Sequence, residues 1–590
     1  MIKTNEVVLK LNNEWMHFAE PNQIIAAHKL EDVLPALREM ERLVNVNNWH
    51  AAGFLSYEAA SAFDPALRTK AVVQTENSRV QEAEFPFLWF GLYPSPRVIM
   101  LPLPEHPKEI LNWQPTIDRD TYNTAIDQIK EHIAEGRTYQ VNYTMRLRQT
   151  NYTGNAWDFF LHLAQSQNNH AAYIDLGRYI ICSASPELFF QLDGDTITCR
   201  PMKGTVKRGR TTSEDNEQMQ WLRTSEKNRA ENVMIVDMVR NDLGRIAEIG
   251  SVKVPELFNT ERYPTLWQMT STVTAKTSAS LTEIFRALFP SASITGAPKV
   301  GTMKIISELE STPRRIYTGS IGYISPRRKA KFNVAIRTAL IDRETHKAEY
   351  GVGGGIVWDS TRTDEYAESL LKARVLTEQP VEFSLLETLL WTLEEGFFLR
   401  EKHIERMLDS AVYFDYPISK EEIEEYLDQI SSKFNSPQRV RLLLDKHGAL
   451  SSQSMLQPPS SAAGNLPGAY KAILAKQPID SDNVFLFHKT TKRDFYESVR
   501  RDAPDYDDVL LYNELGELTE FTIGNLVVEL DGKLFTPALS CGLLAGTFRA
   551  YLLETGQVAE RIIRVEELKD CTQIFMVNSV RKWQSIEIER

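Results

Sequence analysis

Ala348-Glu349-Tyr350-Gly351-Val352-Gly353-Gly354-Gly355-Ile356-Val357 is followed closely by Asp364-Glu365-Tyr366-Ala367-Glu368, and that second stretch runs into Thr377-Glu378-Gln379-Pro380. The first run predicts a strand. The second carries a helical period to about Leu376, where proline and the loss of that period predict a domain end near residue 379. A fresh pattern begins at Phe383 to Trp391. The chain therefore divides into residues 1–378 and 383–590.

Working back from the glycine run, strands are predicted at Phe332 to Ile341, Gly319 to Ile324, Thr196 to Arg200, Leu188 to Leu192 and Ala171 to Cys182. Helices are predicted at Leu281 to Leu288 and over a long pattern from Asn216 to Arg245. Apolar residues at helical spacing from Arg119 to Gly136 precede a strand at Tyr139 to Leu147. Up to about residue 115, short apolar runs alternate with turn residues. Downstream of the boundary, Ser451 to Gly468 is rich in Ser, Pro, Gly and Ala and reads as a mobile loop or subdomain linker. No internal repeat is visible.

At 590 residues the chain exceeds what one core supports, so more than one domain is expected. A composition of 42% hydrophobic and 25% charged residues is that of an ordinary globular protein. The net charge of -12 offers no basic stripe, which argues against a nucleic-acid partner. Cys182, Cys199, Cys541 and Cys571 form no CxxC pair, against a disulfide framework or zinc site. No run of about 18 apolar residues occurs, so no membrane partner and a cytoplasmic location are expected.

Glu365 and Glu368 are three apart and project from one helical face, where Glu231 from another helix could complete oxygen ligation of Mg²⁺. Any one of these glutamates, taken alone, reads as a solvated helix residue. Their company changes that reading.

Ser185-Pro186-Glu187, Pro201-Met202-Lys203-Gly204-Thr205, Ala230-Glu231-Asn232, Asp237-Met-Val-Arg-Asn-Asp242, Ser293-Ile-Thr-Gly-Ala-Pro-Lys299, Ile336-Arg337-Thr338 and Gly353-Gly-Gly-Ile-Val-Trp-Asp359 together resemble the chorismate-utilising enzymes over roughly residues 110 to 376. The resemblance implies an α+β domain with a large antiparallel sheet. It implies Mg²⁺ held by Glu231 and Glu368 with Glu365 close by, and substrate carboxylates held by Arg337, Tyr317, Lys372 and the backbone of Gly353, Gly354 and Gly355. Glu187 and Thr295 would face the ring.

Lys203 selects the branch. In the aminodeoxychorismate branch a lysine attacks ring carbon C2 as the 4-hydroxyl leaves, and ammonia then displaces it at C4. Anthranilate synthases carry alanine in that slot, whereas Lys203 alone does not exclude isochorismate and salicylate enzymes. A lysine amine attacks only when neutral, and neighbouring cations would favour that. Gln268 departs from the pattern, since many relatives have a histidine there that assists departure of the 4-hydroxyl. No cysteine sits in a glutaminase-type elbow, so a separate glutamine amidotransferase supplying ammonia is the implied partner.

From Phe383 onward, His403-Ile-Glu-Arg406, His488-Lys489-Thr-Thr-Lys492-Arg493, Gly516-Glu-Leu-Thr-Glu520 and Gly542-Leu-Leu-Ala-Gly546-Thr547 resemble the fold-type IV pyridoxal-phosphate enzymes. The resemblance implies a two-subdomain α/β fold, Lys489 as the cofactor-linked lysine with Lys492 its rival, and Glu520 at the pyridinium nitrogen. Arg406, Gly546 and Thr547 would hold the phosphate, and a dimer through this domain is implied. The two resemblances together imply a fusion that aminates chorismate and then expels pyruvate to give 4-aminobenzoate for folate. The alternatives are an isochorismate, salicylate or anthranilate synthase fused to a D- or branched-chain aminotransferase, or one domain kept as a degenerate scaffold.

Overall fold

The computed structural model describes residues 2–12, 14–70, 85–106, 111–166, 170–377, 382–457 and 470–589. Two compact units emerge. The first comprises Met1–Lys207 and Met219–Pro380, the second Arg208–Gln218 and Val381–Arg590.

Two ten-stranded antiparallel sheets, counted over the described residues, form the first unit. In one, the glycine strand Lys347–Ile356 lies between Gln140–Gln149 and Thr338–Asp342. In the other, Met202–Lys207 is an end strand paired with Leu266–Lys276. Apolar clusters back each sheet: Phe190, Phe285 and Phe332 in one, and Tyr122, Tyr143 and Phe160 in another. Burying such aromatic residues contributes roughly 1.5–3 kcal/mol each.

Several predicted elements are broken, each for a local reason. The run Ala171 to Cys182 is a hairpin, His170–Asp175 and Tyr179–Ser185, turned at Gly177 with φ +88°. The run Phe332 to Ile341 divides into Lys329–Val334 and Thr338–Asp342, with Arg337 at φ +51° between them. The long helical pattern is two helices, Thr212–Thr224 and Glu226–Gly244, because Ser225 caps the second by accepting the Asn228 N–H. The helix after the glycine strand runs Arg362–Leu371 and resumes at Arg374–Thr377.

A buried ion pair ties these pieces together. Arg314 donates to Glu310 at 2.6 and 3.0 Å, to the Ile294 carbonyl at 3.0 Å and to the Asn142 carbonyl at 2.7 Å. The two side chains are 1% and 3% exposed. Arg314→Met would leave Glu310 with Arg146 at 3.8 Å as its remaining cation, so the first unit should lose about 3 kcal/mol of stability, read as a lower urea midpoint by intrinsic fluorescence.

Among its described residues the second unit holds a four-stranded antiparallel sheet built on Leu385–Thr392 and an eight-stranded mixed sheet in which Leu518–Phe521 also pairs with Gly524–Leu530. The boundary predicted near residue 379 and most of the predicted loop, residues 458–468, lie outside the described residues. The start of that loop is not irregular: Leu450–Leu456 is a strand paired with Gln438–Leu444. Arg208–Gln218, which the sequence reading includes in residues 1–378, packs with the second unit. The cause is a buried Arg208–Asp215 pair joined to Tyr413.

Candidate functional site

The glycine strand organises the first site, and its register sets Gly355 opposite Asn142 and Gly354 opposite Tyr143. A Cβ on Gly355 would lie 2.6 Å from Lys203 Nζ and 2.8 Å from Gln140 Nε2. One on Gly354 would lie 2.9 Å from Glu365 Oε2, and one on Gly351 would enter the Tyr317 ring. Missing side chains thus make room for the predicted residues to meet.

Lys203 is aimed by an irregular strand. The pairing of Met202–Lys207 slips between Met202 and Thr205, and Gly204 has φ +96°. Such bulges re-aim side chains next to reactive sites. Asn232 donates to the Lys203 carbonyl at 3.2 Å, and Gln268 Nε2 donates to the Gly204 carbonyl at 2.8 Å. Gln268 also accepts from the Thr205 hydroxyl at 3.1 Å, so its amide holds the strand. Beside the Lys203 amine the structure places a carboxylate, Glu231 Oε2 at 3.8 Å, rather than the cation that the sequence suggested. Helix Glu226–Gly244, packed on this strand, brings that carboxylate there.

Glu187 is buried and accepts from the Ser293 hydroxyl at 2.6 Å. Burial pushes its carboxyl up to about 7, against Ser293 and Lys203 pulling down. Arg337 is enclosed, which lowers its guanidinium from the usual value, and its Nη1 has no protein partner. A buried, unpaired guanidinium nitrogen calls for an anionic ligand. Thr295 is fully buried with its hydroxyl donating to the Ser291 carbonyl at 3.1 Å. Tyr317 lies under the Arg146 guanidinium, 5.0 Å from the ring centre.

The three predicted metal ligands do not converge: among the described residues no group of three such side chains is poised for a metal. Glu368 pairs with Lys372 at 2.8 Å, Lys372 also donates to the Gly353 carbonyl at 3.0 Å, and Glu365 accepts from Ser360 at 2.6 Å. The donor chemistry nevertheless fits Mg²⁺. Burial raises Glu365, and the Glu368 charge raises it further, a repulsion that a divalent cation would relieve.

In the second site, enclosure followed by the Arg406 charge draws Lys489 down to about 8. Glu520 is raised to about 7 by burial, opposed by the Tyr496 hydroxyl that donates to it at 2.8 Å. Asn525 Nδ2 donates to Glu520 at 3.1 Å and to the Leu544 carbonyl at 2.8 Å. A Cβ on Gly546 would lie 1.8 Å from Asn525 Oδ1, so the glycine makes space for the residue steadying Glu520. Lys492 instead pairs with Asp494 and is 39% exposed.

Arg406 donates to both oxygens of Glu387, at 2.8 and 2.6 Å, and to the Ala545 carbonyl at 3.0 Å, beside Gly546 and Thr547. His403 is buried and held neutral by that burial. Its Nδ1 donates to Glu387 at 2.6 Å, and Nε2 accepts from the Thr547 hydroxyl at 3.2 Å. Against burial, which raises it, the Arg406 guanidinium and the His403 Nδ1–H hold Glu387 down at about 2. A lowered amine, a protonatable acid and an arginine bonded to the Ala545 carbonyl just ahead of helix Thr547–Glu554 form a cradle that fits pyridoxal phosphate.

Sequence reasoning missed Gln140, whose fully buried amide has no protein partner, and Glu387, Tyr496 and Asn525. Glu387 left one signal, a lone charge within the apolar Leu385 to Trp391.

Residues 384–588 match the family model for class IV amino-transferases, which depend on pyridoxal phosphate, and residues 8–378 that for chorismate binding enzymes. The chain is 41% identical to aminodeoxychorismate synthase component 1 of Escherichia coli (strain K12) over 271 residues, 45% of this chain and 59% of that protein. It is 37% identical over 289 residues to the chloroplastic aminodeoxychorismate synthase of Arabidopsis thaliana, covering 48% of this chain and 31% of that protein. The matched stretch thus spans less than two thirds of these relatives. Among solved structures, anthranilate synthase component I from Streptococcus pneumoniae TIGR4 shares the fold, with 24% identity, a TM-score of 0.51, and coverage of 64% of this chain and 91% of that one. With its first family model spanning residues 8–378, the chain belongs to the chorismate binding enzyme family.

Proposed function

We propose that the chain makes 4-aminobenzoate in two steps, aminating chorismate at the first site and expelling pyruvate at the second. The observation that carries this reading is the Lys203 amine aimed at Gly355, in a unit where the buried Arg337 Nη1 is left without a protein partner. Arg337 and Tyr317 would orient the substrate carboxylates, with Lys372 and the backbone of Gly353 to Gly355 alongside. Glu187 donates a proton to the leaving 4-hydroxyl, which departs as water while Lys203 Nζ bonds to C2. Ammonia then bonds to C4 and the C2–N bond breaks, restoring the lysine. Glu231, Glu365 and Glu368 would hold Mg²⁺, which supplies positive charge for a substrate carboxylate.

At the second site Arg406, Gly546 and Thr547 would hold the phosphate of pyridoxal phosphate, and Glu520 its ring nitrogen. The cofactor supplies an electron sink. Lys489, poised near its own titration point, moves protons at Nζ as pyruvate leaves.

Ammonia comes from a glutamine amidotransferase partner. Burial raises the Cys182 and Cys199 thiols, and holds Cys541 up at about 11, so none of the three suits a glutaminase nucleophile. The relatives' designation as component 1 accords with a second component. No helix among the described residues is long and apolar enough to cross a membrane. A cytoplasmic location and a dimer through residues 383–590 complete the proposal.

Chorismate consumption by the purified chain should require ammonium; consumption at the same rate without it, giving isochorismate or salicylate, would overturn the amination. Glu187 works protonated, so the rate should fall as pH rises through about 7. In Glu187→Gln that limb should vanish and the rate drop by about 10²-fold, measured as initial rates across pH.

A further inference from the structure

Arg208–Gln218 lies in sequence between the Lys203 strand and the Glu231 helix, yet it is built into the second unit. Arg208 and Asp215 are 8% and 4% exposed, and Arg208 Nε donates to Asp215 at 2.7 Å. The Arg208 guanidinium sits 4.4 Å from the Tyr413 ring centre and donates to the Tyr413 carbonyl at 3.0 Å. In return the Tyr413 hydroxyl donates to the Gly209 carbonyl at 2.6 Å. A Cβ on Gly209 would lie 2.2 Å from the Asp215 backbone nitrogen, so the turn tolerates only glycine.

This clasp delivers the Arg210 carbonyl to His488 Nε2 at 3.2 Å, while the Arg210 guanidinium covers Phe487. His488 is 2% exposed and immediately precedes Lys489. Burial draws its imidazole down to about 4, so it is neutral and has one N–H. A carbonyl only accepts, which assigns that hydrogen to Nε2; Nδ1 then accepts from the Ser410 hydroxyl at 2.9 Å. Ser410 lies one helical turn beyond Arg406, and the Lys489 carbonyl accepts from the Leu386 N–H at 2.9 Å, next to Glu387. One ring therefore joins the inserted segment, the helix that carries Arg406 and the Lys489 backbone.

We propose that His488, held by the Arg210 carbonyl, is a positioning residue for the pyridoxal-phosphate site, and that Arg208–Gln218 is a working part of that site. This rests on the cofactor reading above. Residues 383–590 are then incomplete without eleven residues that precede them by more than 160 positions.

The test is pyridoxal-phosphate affinity of the full-length chain, by titration of visible absorbance, for wild type, His488→Phe, His488→Gln and Tyr413→Phe. His488→Phe leaves two buried polar groups unpaired and should weaken binding about ten-fold or more. His488→Gln, whose amide can still donate to Arg210, should recover most of that loss. Tyr413→Phe, which alters only the clasp, should weaken binding about three-fold. Lower thermal stability with unchanged affinity in all three variants, or glutamine no better than phenylalanine, overturns the proposal. Wild type that takes up no pyridoxal phosphate would sink the cofactor assignment beneath it.

Discussion

Lys203→Ala is expected to lower ammonium-dependent formation of 4-amino-4-deoxychorismate by at least about 10³-fold with little change in KM. The truncation removes the aimed amine and its stem, along with the contact to Glu231. Arg337 and Tyr317 sit on other elements and keep their surroundings, so ground-state binding survives. The side chain is 17% exposed, and the strand beneath it remains held by Asn232 and Gln268, so the chain should fold as before. Steady-state kinetics separate the outcomes. A raised KM with unchanged kcat would make Lys203 a binding residue and remove the nucleophile from the account.

Lys489→Ala should have the complementary effect, with 4-aminobenzoate falling by at least about 10³-fold while 4-amino-4-deoxychorismate accumulates. The surrounding charges make this the sharper structural case. The charges of Arg406, Glu387 and Glu520 all act on the buried Lys489 amine. Lys492→Ala removes a lysine paired with Asp494 at the surface and should leave 4-aminobenzoate formation within about two-fold. Chromatography of the reaction mixtures checks both. An equal loss in the two variants would contradict the assignment of Lys489.

Much of both sites could be read from local strings. Lys203, Glu187, Arg337 and the glycine run stand in short ordered motifs, and the structure brings Lys203, Glu365, Lys372 and Tyr317 to those glycines. What escaped was tertiary. Gln140 belongs to a strand whose pattern says nothing of the lysine it faces across Gly355. Ser293 was quoted as part of a motif, yet only the fold shows that its hydroxyl meets Glu187. The exchange of Arg208–Gln218 leaves no trace in helical periodicity, because a helix pattern records which side is buried and not against what. The broken strand at Arg337 was hidden likewise, since a single residue at positive φ barely interrupts an apolar run. Mg²⁺ ligation stands apart: the three glutamates have suitable chemistry, but their present partners are Lys203, Lys372 and Ser360.

The most direct measurement is mass-spectrometric product analysis after incubating the purified chain with chorismate, ammonium, Mg²⁺ and pyridoxal phosphate. The account predicts 4-aminobenzoate and pyruvate in equal amounts; anthranilate, isochorismate or salicylate as the product would contradict it.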